Sequence, residues 1–126
     1  MKPNGIPKDP KTLGEHLKAR RLTLDLYQRD VALLLQVSKE TVLHWELDQT
    51  TPPIRAIPAI RAFLGYDPYP APTTLPERLK AWRMTRGMSV KRAAACAGID
   101  ESTWGGWERG QAPIGRHRPL LDRLLG

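Results

Sequence analysis

The chain has 126 residues, enough for one ordinary domain or two minimal ones. Its 20 basic and 13 acidic residues leave a net charge of +7, which favours an acidic partner such as nucleic acid or an anionic membrane surface. The basic surface of an ordinary soluble protein is the alternative. The single cysteine, Cys96, excludes a disulfide within the chain and fits a reducing compartment.

Patterns for membrane insertion, metal binding and catalysis are missing from the sequence. No stretch approaches the roughly 18 consecutive apolar residues of a membrane span, and residues 1–5 lack the apolar stretch of a signal peptide. The three histidines have no metal-ligand spacing, and no carboxylate pair, nucleophile constellation or phosphate-cradling glycine loop appears. We therefore expect a cytoplasmic protein that is not an enzyme and that uses no metal or cofactor.

The chain begins with a segment, residues 1–11, whose Pro, Gly and Lys content predicts a flexible N-terminal arm. A first helix is expected from about Thr12 to Thr23. Leu13 and Leu17 lie at helical spacing, and Thr12 with Glu15 forms a capping-box pattern. The first predicted element is thus an amphipathic helix with a defined start.

Three more helices follow before a proline-rich stretch. The second should span residues 27–35, and the third should run from Ser38, a good N-cap, to Glu46. A further helix begins at Arg55 or Pro58 and ends at Leu64, before Gly65. Alternate prolines in residues 67–73 favour an extended linker.

The same helix series starts again after this linker. The segment TLGEHLKARR at residues 12–21 reappears as TLPERLKAWR at residues 74–83, and the match continues without a gap through the third helix. Two repeats are too few for a solenoid, and no alternating strand pattern competes. We therefore expect an all-α protein of two tandem domains, residues 12–66 and 74–126, called here the first and second copy.

Helices two and three of each copy, joined by about three residues, have the helix-turn-helix pattern. The matching positions in the first copy are Gln28, Val31, Ala32, Val37, Ser38, Trp45 and Glu46. Those in the second copy are Ser89, Ala93, Ala94, Gly98, Ile99, Trp107 and Glu108. On these residues each copy resembles the phage-repressor-like, Cro or xenobiotic-response-element family. Tyr27, Gln36 and Val90 depart from the Ser, Gly and Gln that the family usually has there.

The resemblance implies two lambda-repressor-like domains of four to five short helices each, with double-stranded DNA as the partner. Trp45 and Trp107 should lie in the two cores, because a large aromatic side chain there fixes the third helix. The resemblance also implies two structural ion pairs between the first and third helices. These pairs are Arg21 with Glu46 and Arg83 with Glu108.

Outward positions of a helix-turn-helix reading helix meet base edges in the major groove. In the first copy the predicted base-reading residues are Lys39, Glu40, Thr41 and His44. The predicted phosphate-binding residues of the two copies are Gln28, Ser38, Arg86, Lys91, Arg92 and Arg109. A solvated polar face is the alternative interpretation for all of them.

The second copy has a different reading helix. Asp100 and Glu101 place two acidic residues at its start, and Gly105-Gly106 costs roughly 2 kcal/mol of helix propensity relative to alanine. Yet residues 69–126 carry 10 basic and 5 acidic side chains, whereas residues 1–68 carry 10 and 8. We hypothesise that the first copy supplies most of the sequence specificity and the second adds phosphate contacts. Alternatively, the second copy only docks on the first and stabilises it.

Leu33, Leu34 and Leu43 occupy positions that are usually polar and outward in this family. They indicate either an interface, between the copies or between two chains, or a wider core than the family norm.

Together with the helix-turn-helix resemblance, the sequence predicts a prokaryotic or phage-type transcriptional regulator, acting as a monomeric pseudo-dimer or as a homodimer. The alternative is a protein-interaction module, such as an antitoxin or an adaptor.

Overall fold

A computed structural model describes residues 6–126, and the described part of the chain contains helices and no strands. It forms two compact units. The first unit ends at Tyr69 and the second unit begins at Pro70, within the predicted linker. Residues 1–5 of the predicted N-terminal arm lie outside the described residues. The all-α fold class expected from the sequence is confirmed.

Within residues 6–69, the first unit contains four α-helices: α1 (Leu13–Thr23), α2 (Gln28–Leu35), α3 (Lys39–Glu46) and α4 (Ile57–Leu64). A short 3₁₀ turn, Ile54–Ala56, precedes α4. The capping box expected at the start of α1 is present, because the Thr12 hydroxyl accepts the Glu15 amide and the Glu15 carboxylate accepts the Thr12 amide. The first three predicted helices are confirmed to within one residue at each end.

The second unit has the same order of elements: α5 (Leu75–Thr85), α6 (Val90–Ala97), α7 (Glu101–Glu108) and α8 (Arg118–Leu125). A 3₁₀ turn, Gly115–His117, precedes α8. Side chains of Thr74, Ser89 and Asp100 cap the first three of these helices. The glycine pair of the predicted third helix therefore lies within a continuous α-helix, despite its low helix propensity.

Each unit buries its own apolar core. In the first unit Leu17, Trp45, Ile60 and Leu64 form one cluster, and Val31, Ala32 and Val42 form a second between α2 and α3. Trp45 is 4 % exposed, as expected for a core aromatic. The two clusters share partly buried neighbours such as Phe63, so they position α3 from both sides.

The core of the second unit contains one more large aromatic side chain. Trp104 is completely buried and lies with Trp107 in a single cluster. Their ring centroids are 6.4 Å apart, and the Trp82 ring lies 5.7 Å from that of Trp104. Trp104 stands at the position of Val42 in the first unit. This exchange, which was not predicted from the sequence, moves much of the core volume of the second unit onto α7.

An arginine–glutamate pair connects the first and third helices in both units. Arg21 Nε donates to Glu46 at 2.7 Å, and Arg83 Nε donates to Glu108 at 2.8 Å. In each case a second guanidinium nitrogen donates to the other carboxylate oxygen at 2.9 Å. Such bidentate pairs fix both distance and orientation. Each pair therefore fixes the end of the third helix relative to the first helix of its unit.

Candidate nucleic-acid interface

Helix α3 carries the four predicted base-reading residues of the first unit. Lys39, Glu40 and His44 are exposed, and Thr41 is half-buried. The Ser38 hydroxyl accepts the Thr41 amide at 3.1 Å and shares a 2.8 Å hydrogen bond with the Thr41 hydroxyl. The Ser38 and Thr41 hydroxyls are therefore partly engaged in capping the helix. The side chains of Lys39, Glu40 and His44 are exposed to solvent.

A cleft of about 310 Å³ opens beside the start of α2. Its lining includes Gln28, Arg29 and Lys39, together with Arg21 and Tyr27. The Arg29 guanidinium lies over the Tyr27 ring, 4.7 Å from its centroid. The cleft thus brings the start of a helix together with two exposed cations, a combination that attracts anions.

Arg29 is a candidate that the sequence analysis missed. It follows Gln28 directly, so its position beside the predicted phosphate-binding residue was available as a signal. Gln28 itself is engaged within the protein, because its amide nitrogen donates to Glu46 Oε1 at 3.2 Å. In this structure Gln28 supports the buried ion pair, and Arg29 and Lys39 supply the positive charge of the cleft.

The corresponding positions of the second unit have different chemistry. Val90 stands in place of Gln28, Lys91 in place of Arg29, and Glu101 in place of Lys39. Asp100 caps α7, accepting hydrogen bonds from the amide and the hydroxyl of Ser102. The Ser102 hydroxyl, followed by nearby backbone amides, lowers the pKa of the Asp100 carboxyl. The start of α7 is therefore anionic at neutral pH.

Trp104 takes over the contact that Gln28 makes in the first unit. Its indole nitrogen donates to Glu108 Oε2 at 2.5 Å. Burial raises the pKa of the Glu108 carboxyl, but hydrogen bonds from Arg83 and Trp104, together with the positive charges of Arg83 and Lys80, outweigh burial. The net result is a pKa below the ordinary value, so Glu108 remains ionised in the folded unit.

The predicted phosphate-binding residues of the second unit are all exposed but differ in their freedom. Arg86 is held against Trp82, with its guanidinium 4.2 Å from the ring centroid and Nη1 donating to the Trp82 carbonyl at 2.9 Å. Lys91 and Arg92 project from the first turn of α6. Arg109 follows the last turn of α7. They are distributed over three elements of the unit.

The predicted outward leucines are exposed. Leu33 and Leu34 on α2 are 79 % and 62 % accessible, and Leu43 on α3 is 37 % accessible. Leu47, directly after α3, is also exposed. The interpretation of a wider core is therefore wrong for Leu33 and Leu34, and an apolar surface remains on the first unit.

Comparison with known protein families gives a match in the first unit. Residues 17–69 match the family model described as Helix-turn-helix. No curated protein and no solved structure matches the chain. The matched segment contains all of α2 and α3, so the first unit is similar to helix-turn-helix domains. Such domains are typical of DNA-binding transcriptional regulators. Among residues 6–126, no helix is long and apolar enough to cross a membrane.

Proposed function

We propose that the protein binds double-stranded DNA in a sequence-specific manner as a prokaryotic or phage-type transcriptional regulator. The observation that carries this proposal is the cationic cleft of Arg29 and Lys39 beside the exposed face of α3, within the family-matched segment. A reading helix and an anion-attracting cleft on one surface are what a major-groove binder needs. The DNA would be met in the cytoplasm.

The first unit would read most of the bases. Lys39 can donate to guanine or to a phosphate, and Glu40 can accept from the amino group of cytosine. His44 lies one turn further along the exposed face of α3, where it can reach a base or a phosphate. Thr41 can contact a thymine methyl even while its hydroxyl bonds to Ser38.

The phosphate contacts of the first unit would lie at the start of α2 and α3. Arg29 and Lys39 neutralise charge, and free amides at the helix N-terminus can donate to phosphate oxygens. Gln28 would contribute through the remaining capacity of its amide, and Ser38 through its hydroxyl. These contacts would fix how α3 enters the groove.

The second unit would contribute mainly phosphate contacts. Its net positive charge and the exposed Arg86, Lys91, Arg92 and Arg109 favour the DNA backbone. Asp100 and Glu101 at the start of α7 repel phosphates and remove the counterpart of Lys39. Unequal units on one chain imply an asymmetric binding site bound by a monomeric pseudo-dimer. A perfect palindrome bound by two chains would instead indicate a homodimer.

A protein-interaction role, as an antitoxin or an adaptor, is the second candidate. The exposed leucines on α2 and after α3 favour it, because adjacent apolar side chains on a surface are typical of an interface. The two functions differ in their response to salt. DNA affinity dominated by phosphates falls with a log–log slope of about −0.9 for each phosphate neutralised.

The test is therefore the affinity for random-sequence duplex DNA between low and physiological salt. We expect a steep linear slope for the full chain. The double variant Arg86→Ala, Arg92→Ala should weaken binding to all sequences alike and reduce the slope by about one for each cation removed. No binding at low salt, or a flat response, would favour the interaction module. An unchanged slope in the variant would show that the second unit does not contact the DNA.

A further inference from the structure

The glycine pair of α7 is covered by two side chains from the loop that follows the helix. Gly105 and Gly106 are buried, although their counterparts in the first unit, Leu43 and His44, are exposed. A Cβ atom added to Gly106 would collide with the side-chain amide of Gln111. A Cβ added to Gly105 would stand 3.0 Å from Arg109 Nη1. Glycine therefore leaves the space that these two longer side chains occupy.

The loop backbone brings Gln111 back to the helix. Gly110 turns the chain with a φ of 105°, and the Gln111 amide donates to the Gly106 carbonyl at 2.9 Å. The first unit makes the same backbone bond, from the Gln49 amide to the His44 carbonyl at 2.9 Å. What differs is the residue at the helix position, because His44 carries an exposed side chain whereas Gly106 has none and is covered by Gln111.

The Gln111 amide lies on the side of α7 that corresponds to the reading face of α3. A groove of about 460 Å³ is lined by Gln111 together with Arg109, Ser102 and Thr103. Ser102 and Thr103 stand at the positions of Glu40 and Thr41 in the first unit. Gln111 thus extends the set of polar side chains on this face, and the Arg109 cation lines the same groove.

We propose that Gln111 is the base-reading side chain of the second unit and that it selects adenine. The proposal rests on the proposed DNA-binding function. A carboxamide presents one donor and one acceptor side by side, which matches the N7 acceptor and the N6 donor of adenine in the major groove. Gly106 acts as the positioning residue, since any side chain there displaces the amide. The helix would thus read one base through its loop rather than through its own outward residue.

The experiment is selection of bound sites from random DNA with the full chain. The variant Gln111→Ala removes the amide, and Gly106→Ala displaces it while Gln111 stays in the chain. Both should lose about tenfold of the preference for adenine at one position of the site, with the bases read by the first unit unchanged. Gln49→Ala, the matched change in the first unit, should leave every preference intact. Circular dichroism of Gly106→Ala confirms that α7 remains folded.

A modified base tests the contact at the atomic level. Replacing the selected adenine by 7-deazaadenine removes the N7 acceptor, and the wild-type chain should lose about tenfold in affinity. Gln111→Ala should be insensitive to the same replacement. The proposal is overturned if Gln111→Ala keeps the adenine preference, or if Gly106→Ala keeps it while Gln111→Ala loses it. Absence of any DNA binding by the wild type is a different result, which refutes the proposed function itself.

Discussion

The glutamate at the end of the third helix makes the same ion pair in both units but has a different third donor. Glu46 accepts hydrogen bonds from Arg21 and from the amide of Gln28, whereas Glu108 accepts them from Arg83 and from the indole of Trp104. In the first unit the third donor comes from the surface at the start of α2. In the second unit it comes from the core of α7 itself. The difference shows that the ion pair between the first and third helices is retained while the side chain that completes it changes.

That replacement extends to the charges around the same surface. The first unit places Arg29 and Lys39 around a cleft, whereas the second unit has Lys91 and Glu101 at those positions. Once Trp104 holds the carboxylate, the start of α6 no longer needs an amide, and Val90 suffices. Two units with the same order of helices therefore present different charges and hydrogen-bonding groups at corresponding positions.

The largest expected effect comes from removing the buried carboxylates. Glu46→Ala leaves Arg21 charged and unpaired inside the first unit, which should destabilise that unit by about 3–5 kcal/mol. Glu108→Ala should cost a similar amount, because it leaves Arg83 unpaired, and the Arg83 side chain is 11 % exposed against 12 % for Arg21. Hydrogen exchange of α3 and α7 amides measures each unit separately. The exposed control Glu40→Ala should stay within about 0.5 kcal/mol. A cost as small as that of the control for either glutamate would contradict a shared structural role of the two ion pairs.

Substitutions at two glycines within helices should change the stability of the two units by intermediate amounts and in opposite directions. A Cβ at Gly14 would meet the backbone carbonyl of Trp45, which cannot move aside, so Gly14→Ala should destabilise the first unit by about 1–3 kcal/mol. A Cβ at Gly105 meets only the flexible end of Arg109. Gly105→Ala should therefore stabilise the second unit by up to about 1 kcal/mol through helix propensity. Urea denaturation of both variants measures these changes in stability. A loss of stability for Gly105→Ala would show that Arg109 is fixed in place.

The smallest expected effect is a pH dependence of the second unit. The pKa of Glu108 is lower in the folded chain than its ordinary value of 4.5, so its ionisation stabilises the fold above that pH. This stability should decline as the pH falls below about 4.5, towards the folded-state pKa. Urea denaturation between pH 3 and 6, followed by tryptophan fluorescence, measures it. Glu108→Gln should flatten the dependence, and an identical curve for the variant would exclude Glu108 as its source.

Much of the fold follows from local sequence signals. The Thr12–Glu15 capping box, the Ser38 cap and the helical spacing of apolar residues define helices whose bounds the structure reproduces. The contacts of the candidate site were harder to predict from the sequence. Trp104 and Glu108 lie four residues apart on one helix, so their contact follows from helical spacing and was missed. The contact between Gln111 and Gly106 depends on the path of a loop after a positive-φ glycine, and no periodic pattern encodes that path.

The most direct test of unequal units is selection of bound sites with two double variants of the full chain. Lys39→Ala with Thr41→Ala should lose most of the base preference of the site while binding to random DNA persists. Arg86→Ala with Arg92→Ala should keep the selected sequence and weaken all binding about equally. If the first double variant selects the same sequence as the wild type, or the second selects a different one, the division between a base-reading unit and a mainly phosphate-binding unit is refuted.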